Sequence, residues 1–249
     1  MIDIHSHILP GIDDGSDCME TSIEMLALAE ESGVEAIIAT PHFDPDAGFE
    51  NYASRGLMKL RSSLEEAAEA EGIGVSIRLG MEIMASENIP ELLEEGRVWT
   101  LCGTKYFLVE FLFDEDPARC FEILSRCRKK GFRPVIAHPE RYRFVRRDPQ
   151  IAYEWCIRGY GLQLNKGSIL GSFGPEIMKC SERLIRHGLA AFAASDAHSA
   201  VQRTPHMTRL RAHLETEFGR EYAALLLDEN PARLISGREL AGFEPYPFA

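Results

Sequence analysis

No apolar run in this chain approaches the roughly 20 residues of a transmembrane helix. The N-terminus, Met1-Ile2-Asp3-Ile4-His5, has neither the basic stretch nor the apolar segment of a secretory signal, so the cytoplasm is the expected compartment. Basic residues are scarce: 27 Lys and Arg stand against 39 Asp and Glu, a net charge of −12 with histidine neutral. Phosphate contacts supply most of the affinity for nucleic acids, so this balance argues against binding them through a broad basic surface. A local basic patch is still compatible with it. The six cysteines, at positions 18, 102, 120, 127, 156 and 180, include no C-x-x-C pair. Scattered in this way, they are expected to be buried thiols and not a disulfide framework. Neither G-x-G-x-x-G nor a Walker A pattern occurs, which removes the usual nucleotide-binding readings.

What the chain does have is alternation. Its 249 residues, 45% of them hydrophobic, suffice for a large core without staples. Strands are expected at 2–5, 34–40, 75–79, 106–111, 134–137, 162–165 and 189–195. Helical spacing occupies 19–32, 52–71, 89–95, 117–130, 149–158 and 175–187, with further helices over 207–227 and 230–240. Strand–helix units in succession imply an α/β fold, with a parallel sheet covered by helices. Closed on itself it would be a barrel; an open doubly wound sheet is the alternative. Residues 1–240 read as one domain and 241–249 as a tail.

The chemistry gathers where the strands end. In barrels of this kind, active-site residues project from the C-terminal ends of the strands. The first strand runs into His5-Ser6-His7, with Asp13-Asp14-Gly15 in the loop after it. The second leads to His42, the third to Glu82, the fourth to Glu110, the fifth to His138 and the seventh to Asp196-Ala197-His198. Fold stability does not ask for this, because carboxylates at one rim repel unless a cation lies between them. Side chains two apart on a strand share a face, so His5 and His7 can grip one ion, as can Asp196 and His198. Imidazole suits Zn, Fe, Mn or Ni, and carboxylates add a preference for harder ions such as Mn²⁺. The nine candidates (His5, His7, Asp14, His42, Glu82, Glu110, His138, Asp196 and His198) exceed the needs of one tetrahedral ion. Two or three ions with bridging carboxylates would use them all. His187 and His206 fall on helix-like stretches and read as ordinary residues.

Several separate segments now fall into one pattern. Asp3-Ile4-His5-Ser6-His7, Asp13-Asp14-Gly15, Thr40-Pro41-His42, Gly80-Met81-Glu82, Val109-Glu110-Phe111, Ala137-His138-Pro139-Glu140-Arg141-Tyr142 and Ala194-Ser195-Asp196-Ala197-His198 resemble the polymerase and histidinol phosphatase (PHP) superfamily. They come in that family's order and span residues 1 to about 205. Within it they are most similar to the bacterial capsule-type protein-tyrosine phosphatases linked to exopolysaccharide export. Asp14 and Glu110 stand where many other members carry histidine, which favours this branch over the histidinol phosphatases.

The resemblance implies a distorted (β/α)7 TIM-like barrel and three divalent metal ions, usually manganese, with zinc, iron or cobalt as alternatives. By position, one ion would take His5, His7, Glu82 and Asp196, a second Glu82, Glu110 and His138, and the third Asp14, His42 and His198. It further implies hydrolysis of phosphotyrosine by a metal-activated hydroxide. The partner would be a phosphotyrosine protein, such as the Tyr-rich tail of a bacterial tyrosine autokinase. In the resembled family, arginines at Arg141 and Arg203 face the substrate, and guanidinium forks match phosphate oxygens. A histidine at the third ion, His42 or His198, is the candidate for helping the leaving group.

Other residues receive lesser roles. Asn165 and Ser168 are candidates for positioning substrate or water, and Ser6 and Ser195 for bracing ligands. Arg143, Arg146 and Arg147 form a basic cluster that could steer an acidic phosphopeptide. The C-x5-R pattern of cysteine-based phosphatases occurs at Cys120, Cys127 and Cys180. These lie in helical stretches or run from a helix into a strand, unlike a phosphate-wrapping loop, and read as chance. Two other functions fit the sequence. One is a phosphatase or phosphodiesterase of a small metabolite or nucleotide, such as histidinol phosphate; the other is a non-catalytic regulatory partner.

Overall fold

Period-two apolar segments build the wall of the molecule, seen in a computed structural model that describes residues 1–242 and 244–248. The strands are β1 (Ile2–Ser6), β2 (Ala36–Ala39), β3 (His42–Asp44), β4 (Phe49–Glu50), β5 (Ser76–Leu79), β6 (Glu82–Met84), β7 (Tyr106–Glu110), β8 (Arg133–Ala137), β9 (Gly161–Asn165) and β10 (Phe192–Ala194). They pair as a three-stranded sheet, β1-β2-β5, and a seven-stranded sheet, β10-β9-β8-β7-β6-β3-β4.

The two sheets are parts of one ring. Thr40-Pro41 joins β2 directly to β3, and Gly80-Met81 joins β5 directly to β6, so each pair is one stave with a break. Bonds cross the breaks: Thr40 N donates to Ser6 O, Gly80 N to Ala39 O and Glu82 N to Pro41 O. On the other side, Ser6 and Ala197 form a parallel bridge between β1 and the end of β10. His7 N donates to Ala197 O and Asp196 N to His5 O, each at 2.9 Å. The result is the expected distorted barrel, with seven parallel staves. β4 is an antiparallel return from β3.

Alternation along the staves makes two cores. Ile4, Ile38, Leu108, Val135 and Phe192 fill one cluster together with Leu101 and Leu234. Ile37, Ile83, Val109, Ile136 and Leu164 belong to the other, with helix residues such as Met25, Leu64, Ile123 and Leu184. The helices Met19–Glu31, Arg55–Ala70, Pro117–Lys129, Gln150–Ile157 and Pro175–Arg186 follow the expected segments to within a few residues.

Some expectations are corrected. His42 and Glu82 do not end their strands; they open the segments beyond the breaks, where they are register partners. Pro41 has no N–H to give the ladder, and Gly80 leaves room for Leu101, whose Cδ2 would stand 2.6 Å from an added Cβ. Two short helices, Arg143–Arg147 and Lys166–Ile169, were not foreseen, and the helix expected over 230–240 ends at Ile235. Cys18 is exposed and Cys102 and Cys156 are half-buried, so only three of the six thiols are buried as expected. The proposed tail, 241–249, includes Phe243 and Ala249, which lie outside the described residues. Within it, the Phe248 ring stacks on His187 with centroids 3.8 Å apart. Among the described residues, no helix is long and apolar enough to cross a membrane.

Candidate metal centre

Three groups of His, Asp and Glu side chains have donor atoms close enough to share ions: His5, His7, Glu82 and Asp196; His42, Glu82 and Glu110; and His7, Asp14, His42 and His198. The first is fully buried. Its backbone is irregular where it must be. Asp3 lies opposite Ile37 and Ser6 opposite Ala39, so β1 carries one extra residue and bulges. A bulge re-aims the side chains that follow it. Here His5 reaches the centre although Ile4, its neighbour, is in the barrel core.

Beyond the bulge, His5 Nε2 and His7 Nε2 are 3.2 Å apart. Glu82 Oε2 lies 3.0 Å from the first and 3.2 Å from the second, and Asp196 Oδ1 lies 3.4 and 3.5 Å from them. Donors bound to one ion at about 2.1 Å stand about 3.0 to 3.4 Å apart in octahedral or tetrahedral sets, so these spacings fit a metal ion.

Glu82 reaches further groups. Its Oε2 is 3.3 Å from His42 Nδ1, and its Oε1 is 2.9 Å from His138 Nε2. Glu110 lies 3.2 Å from His42 Nδ1 and 3.6 Å from His138 Nε2. At the outer edge, Asp14 Oδ1 is 3.3 Å from both His42 Nε2 and His198 Nε2. Eight of the nine residues singled out in the sequence thus fall in these groups, His7, His42 and Glu82 each in two, and His138 joins them through Glu82 and Glu110 without belonging to a group. His138 and Asp196 hold left-handed backbone, with φ of 34° and 49°. Such strain in non-glycine residues collects at functional sites.

The acids and imidazoles of the centre shift one another. Burial penalises charge on Glu82 and Asp196, but neighbouring imidazoles outweigh it and hold both carboxyls well below the usual range. Burial likewise works against His7, yet bonding to Asp13, Asp196 and Glu82 lifts it well above its ordinary value. For His42, burial is outweighed by Glu82, Asp14 and Glu110, and its pKa rises to about 10. His198, where burial prevails, is shifted the other way, below its ordinary value. A bound ion would displace protons from the histidines it takes.

A second layer of side chains orients the donors, and the sequence reading missed part of it. Asp13 Oδ2 is 2.8 Å from His7 Nδ1, fixing that ring, and also accepts from His42 N. Gln163 Oε1 is 2.9 Å from His5 Nδ1, and Gln163 Nε2 donates to Asn165 Oδ1. Asn165 then donates to Asp196 Oδ2 at 2.5 Å. Asn165 is therefore occupied in bracing a carboxylate, contrary to the substrate-positioning role weighed for it. Ser195 donates from its N and Oγ to Asp3, which is not among the nine, and meets a ligand residue only at the backbone carbonyl of His5. Ser168 is buried near Glu140, and the Ser6 hydroxyl has no hydrogen-bond partner among the described residues. The signal available in the sequence was Gln163-x-Asn165: two amides on one face of an otherwise apolar strand.

Arg141 Nη1 and Arg203 Nη2 lie 3.5 and 2.5 Å from Asp196 Oδ2. The Arg141 guanidinium sits over Phe113 and Phe173, 4.8 and 5.0 Å from the ring centroids. Phe49 stacks on His42 at 5.5 Å. These aromatic neighbours escaped the sequence reading. The C-x5-R cysteines are elsewhere, and all three are buried. Burial raises the Cys120 thiol and pushes Cys127 and Cys180 up to about 12, so none is a ready thiolate.

Comparison with known proteins adds the family. Residues 1–236 match the family described as capsular polysaccharide synthesis, CpsB/CapC. The chain is 35% identical over 247 residues to the tyrosine-protein phosphatase YwqE of Bacillus subtilis (strain 168), covering 99% of this chain and 96% of that one. It is similar, with a TM-score of 0.94, 35% identity and 100% of both chains covered, to a chain from work on YwqE from Bacillus subtilis and CpsB from Streptococcus pneumoniae, described as unique metal-dependent tyrosine phosphatases. A histidinol phosphate phosphatase from Lactococcus lactis shares the fold, with a TM-score of 0.55 at 12% identity over 91% of this chain and 96% of that one.

Proposed function

Since the chain belongs to the CpsB/CapC family of capsular polysaccharide synthesis, we propose that it is a metal-dependent protein-tyrosine phosphatase. The observation that carries this reading is the buried convergence of His5, His7, Glu82 and Asp196 at ion-sharing distances. When bound, divalent ions neutralise the phosphate dianion and lower the pKa of a water so that it can attack at neutral pH. We assign three ions, with manganese the first choice because the four carboxylates among the nine ligands add a preference for a harder ion. His5, His7, Glu82 and Asp196 would hold one, Glu82, Glu110 and His138 the second, and Asp14, His42 and His198 the third. His42 Nδ1, 3.2 Å from Glu110, makes it a further candidate for the second.

The chain's own residues supply the rest. Arg141 and Arg203, both beside Asp196, would take phosphate oxygens, exchanging part of their contact with Asp196 for the substrate. Phe113 and Phe173 beside Arg141 offer an apolar wall to the tyrosine ring. The leaving tyrosinate, with a parent pKa near 10, departs more readily than an alkoxide and makes a modest demand for a proton. His42 and His198 both aim Nε2 at Asp14, so a ligand role there competes with proton donation from the same atom. The substrate we favour is the tyrosine-rich tail of a bacterial tyrosine autokinase, met in the cytoplasm.

The test is phosphate release from a phosphotyrosyl peptide by metal-stripped protein, with and without Mn²⁺, beside a thiol-alkylated sample. Histidinol phosphate and nucleotides serve as competing substrates. Activity that needs the ion, survives alkylation and prefers the peptide supports the reading. Turnover confined to a small phosphate ester, or none with any divalent ion on folded protein, would overturn it.

A further inference from the structure

One feature of the surface runs against the charge of the molecule. The chain carries 12 more acidic than basic residues, yet a cavity of about 420 Å³ is lined by Arg143, Arg146, Arg147, Lys179 and Arg183, with Glu176 the single acid. Two helices make it. Arg143, Arg146 and Arg147 recur at the i, i+3, i+4 spacing of one helix face on Arg143–Arg147. Lys179 and Arg183 recur at i, i+4 on the helix Pro175–Arg186.

Most of these cations are not neutralised. Arg143 pairs with Asp114 at 2.8 Å, and Arg183 sits over the Phe248 ring. Arg146, Arg147 and Lys179 have no carboxylate within ion-pair distance among the described residues. Like charges facing one another across a concavity repel, and a chain so rich in acid had many ways to pair them. The arrangement is suited to an anion from outside.

The groove is also tied to the metal centre. Arg146 Nη1 donates to the backbone carbonyl of Arg141, whose own guanidinium lies 3.5 Å from Asp196. Arg147 is six positions after Arg141, so their Cα atoms are at most about 22 Å apart. An extended peptide covers that span in about six residues.

We propose that this groove is a second anion-binding site, which holds an acidic side chain of the same polypeptide whose phosphotyrosine enters the metal centre. It rests on the phosphatase reading. The ligand chemistry is an anionic side chain, a carboxylate or a second phosphate. A concave groove bounded by helices, with an acid on its wall, suits a side chain better than the flat face of an anionic membrane.

The test uses the metal-loaded protein and fluorescent peptides bearing the non-hydrolysable phosphonate analogue of phosphotyrosine. One peptide has neutral flanks, one has glutamates and one has a second phosphonate, placed two to six residues away. Exposed ion pairs are individually weak, so the anionic peptides should bind about five- to tenfold more tightly at low salt, and the gain should fade as salt rises. The variant Arg147→Gln/Lys179→Gln should lose that gain and bind the neutral peptide as before. Equal gains from glutamate and phosphonate identify any carboxylate as sufficient; a gain from phosphonate alone identifies phosphate. Equal binding of all three peptides to the parent protein overturns the proposal. So does a variant that loses only retention on phosphatidylserine vesicles, which would make the groove a membrane contact. Turnover of a singly phosphorylated neutral peptide is measured separately; its absence counts against the phosphatase reading and leaves the peptide affinities to judge the groove.

Discussion

Glu82→Gln is the substitution that most directly tests the centre. The side chain is 1% exposed, and glutamine keeps its shape while removing its charge. Its carboxylate is shared: Oε2 lies 3.0 Å from His5, 3.2 Å from His7 and 3.3 Å from His42, and Oε1 lies 2.9 Å from His138. Two of the three donor groups contain it, so one change weakens two ion positions. Loss of a residue that merely orients a ligand costs about 10- to 100-fold in metal affinity, and a direct ligand should cost no less. Two positions together give about 10²- to 10⁴-fold. If each ion contributes several kcal/mol of charge stabilisation in the transition state, kcat/KM should fall by about 10³-fold or more at Mn²⁺ levels that saturate the parent protein. The assay pairs metal content after gel filtration with a Mn²⁺ titration of phosphotyrosyl-peptide hydrolysis. Near-ultraviolet circular dichroism controls for folding. A folded variant that keeps the parent's ion content, and whose kcat/KM stays within tenfold, would refute the shared-carboxylate argument.

Two further substitutions test how the site is held. Gly15 sits so close to the residue after β1 that an added Cβ would stand 2.2 Å from His7 O and 2.3 Å from His7 Cβ. Gly15→Ala should therefore cost about 1 to 3 kcal/mol of stability in a urea titration and displace Asp13 and Asp14, with loss of bound metal. A variant of unchanged stability and metal content would show that the loop has room to spare. Lys166 is buried, with no carboxylate within ion-pair distance among the described residues, and donates to the carbonyls of Thr204 and His206 in the loop that carries Arg203. Burial lowers its pKa from the usual 10.5 to about 8. The folded state therefore binds fewer protons than the unfolded one between these values, and stability rises with pH across that window. The charge penalty, on the order of 3 kcal/mol, is fully present below pH 8 and gone above 10.5. Relative to Lys166→Met, the parent should gain stability from pH 8 to 10.5; parallel curves would contradict the assignment.

The parts of the centre legible in the sequence were those that follow from chemistry at strand ends. His5-x-His7 could be read because period two forces both rings to one face, and Asp196-x-His198 by the same rule. Asp13 could not be read apart from Asp14: sequence does not tell which of two adjacent acids turns to His7 Nδ1 and which to the outer histidines. Proline and glycine at 41 and 80 read as strand ends, and only tertiary pairing shows that the staves resume at His42 and Glu82. The cluster Arg143, Arg146 and Arg147 was visible, but Lys179 and Arg183, which turn it into a groove, come from another helix.

The irregularities of the barrel have a common cause. Neighbouring strands stand about 4.8 Å apart, wider than the roughly 3.0 to 3.4 Å between donors on one small ion. A regular rim would leave these side chains too widely spaced to share ions efficiently. The bulge in β1, the paused staves before His42 and Glu82, and the left-handed backbone of His138 and Asp196 all lie where donors must draw inward. Each costs stability locally. The buried bracing by Asp13, Gln163 and Asn165 holds the donors there against that cost. Local propensity along the chain contains no trace of this compromise, because neither the strain nor its compensation is local. Polar residue types at the rim therefore announce that a site exists, while its shape is set by contacts between staves far apart in sequence.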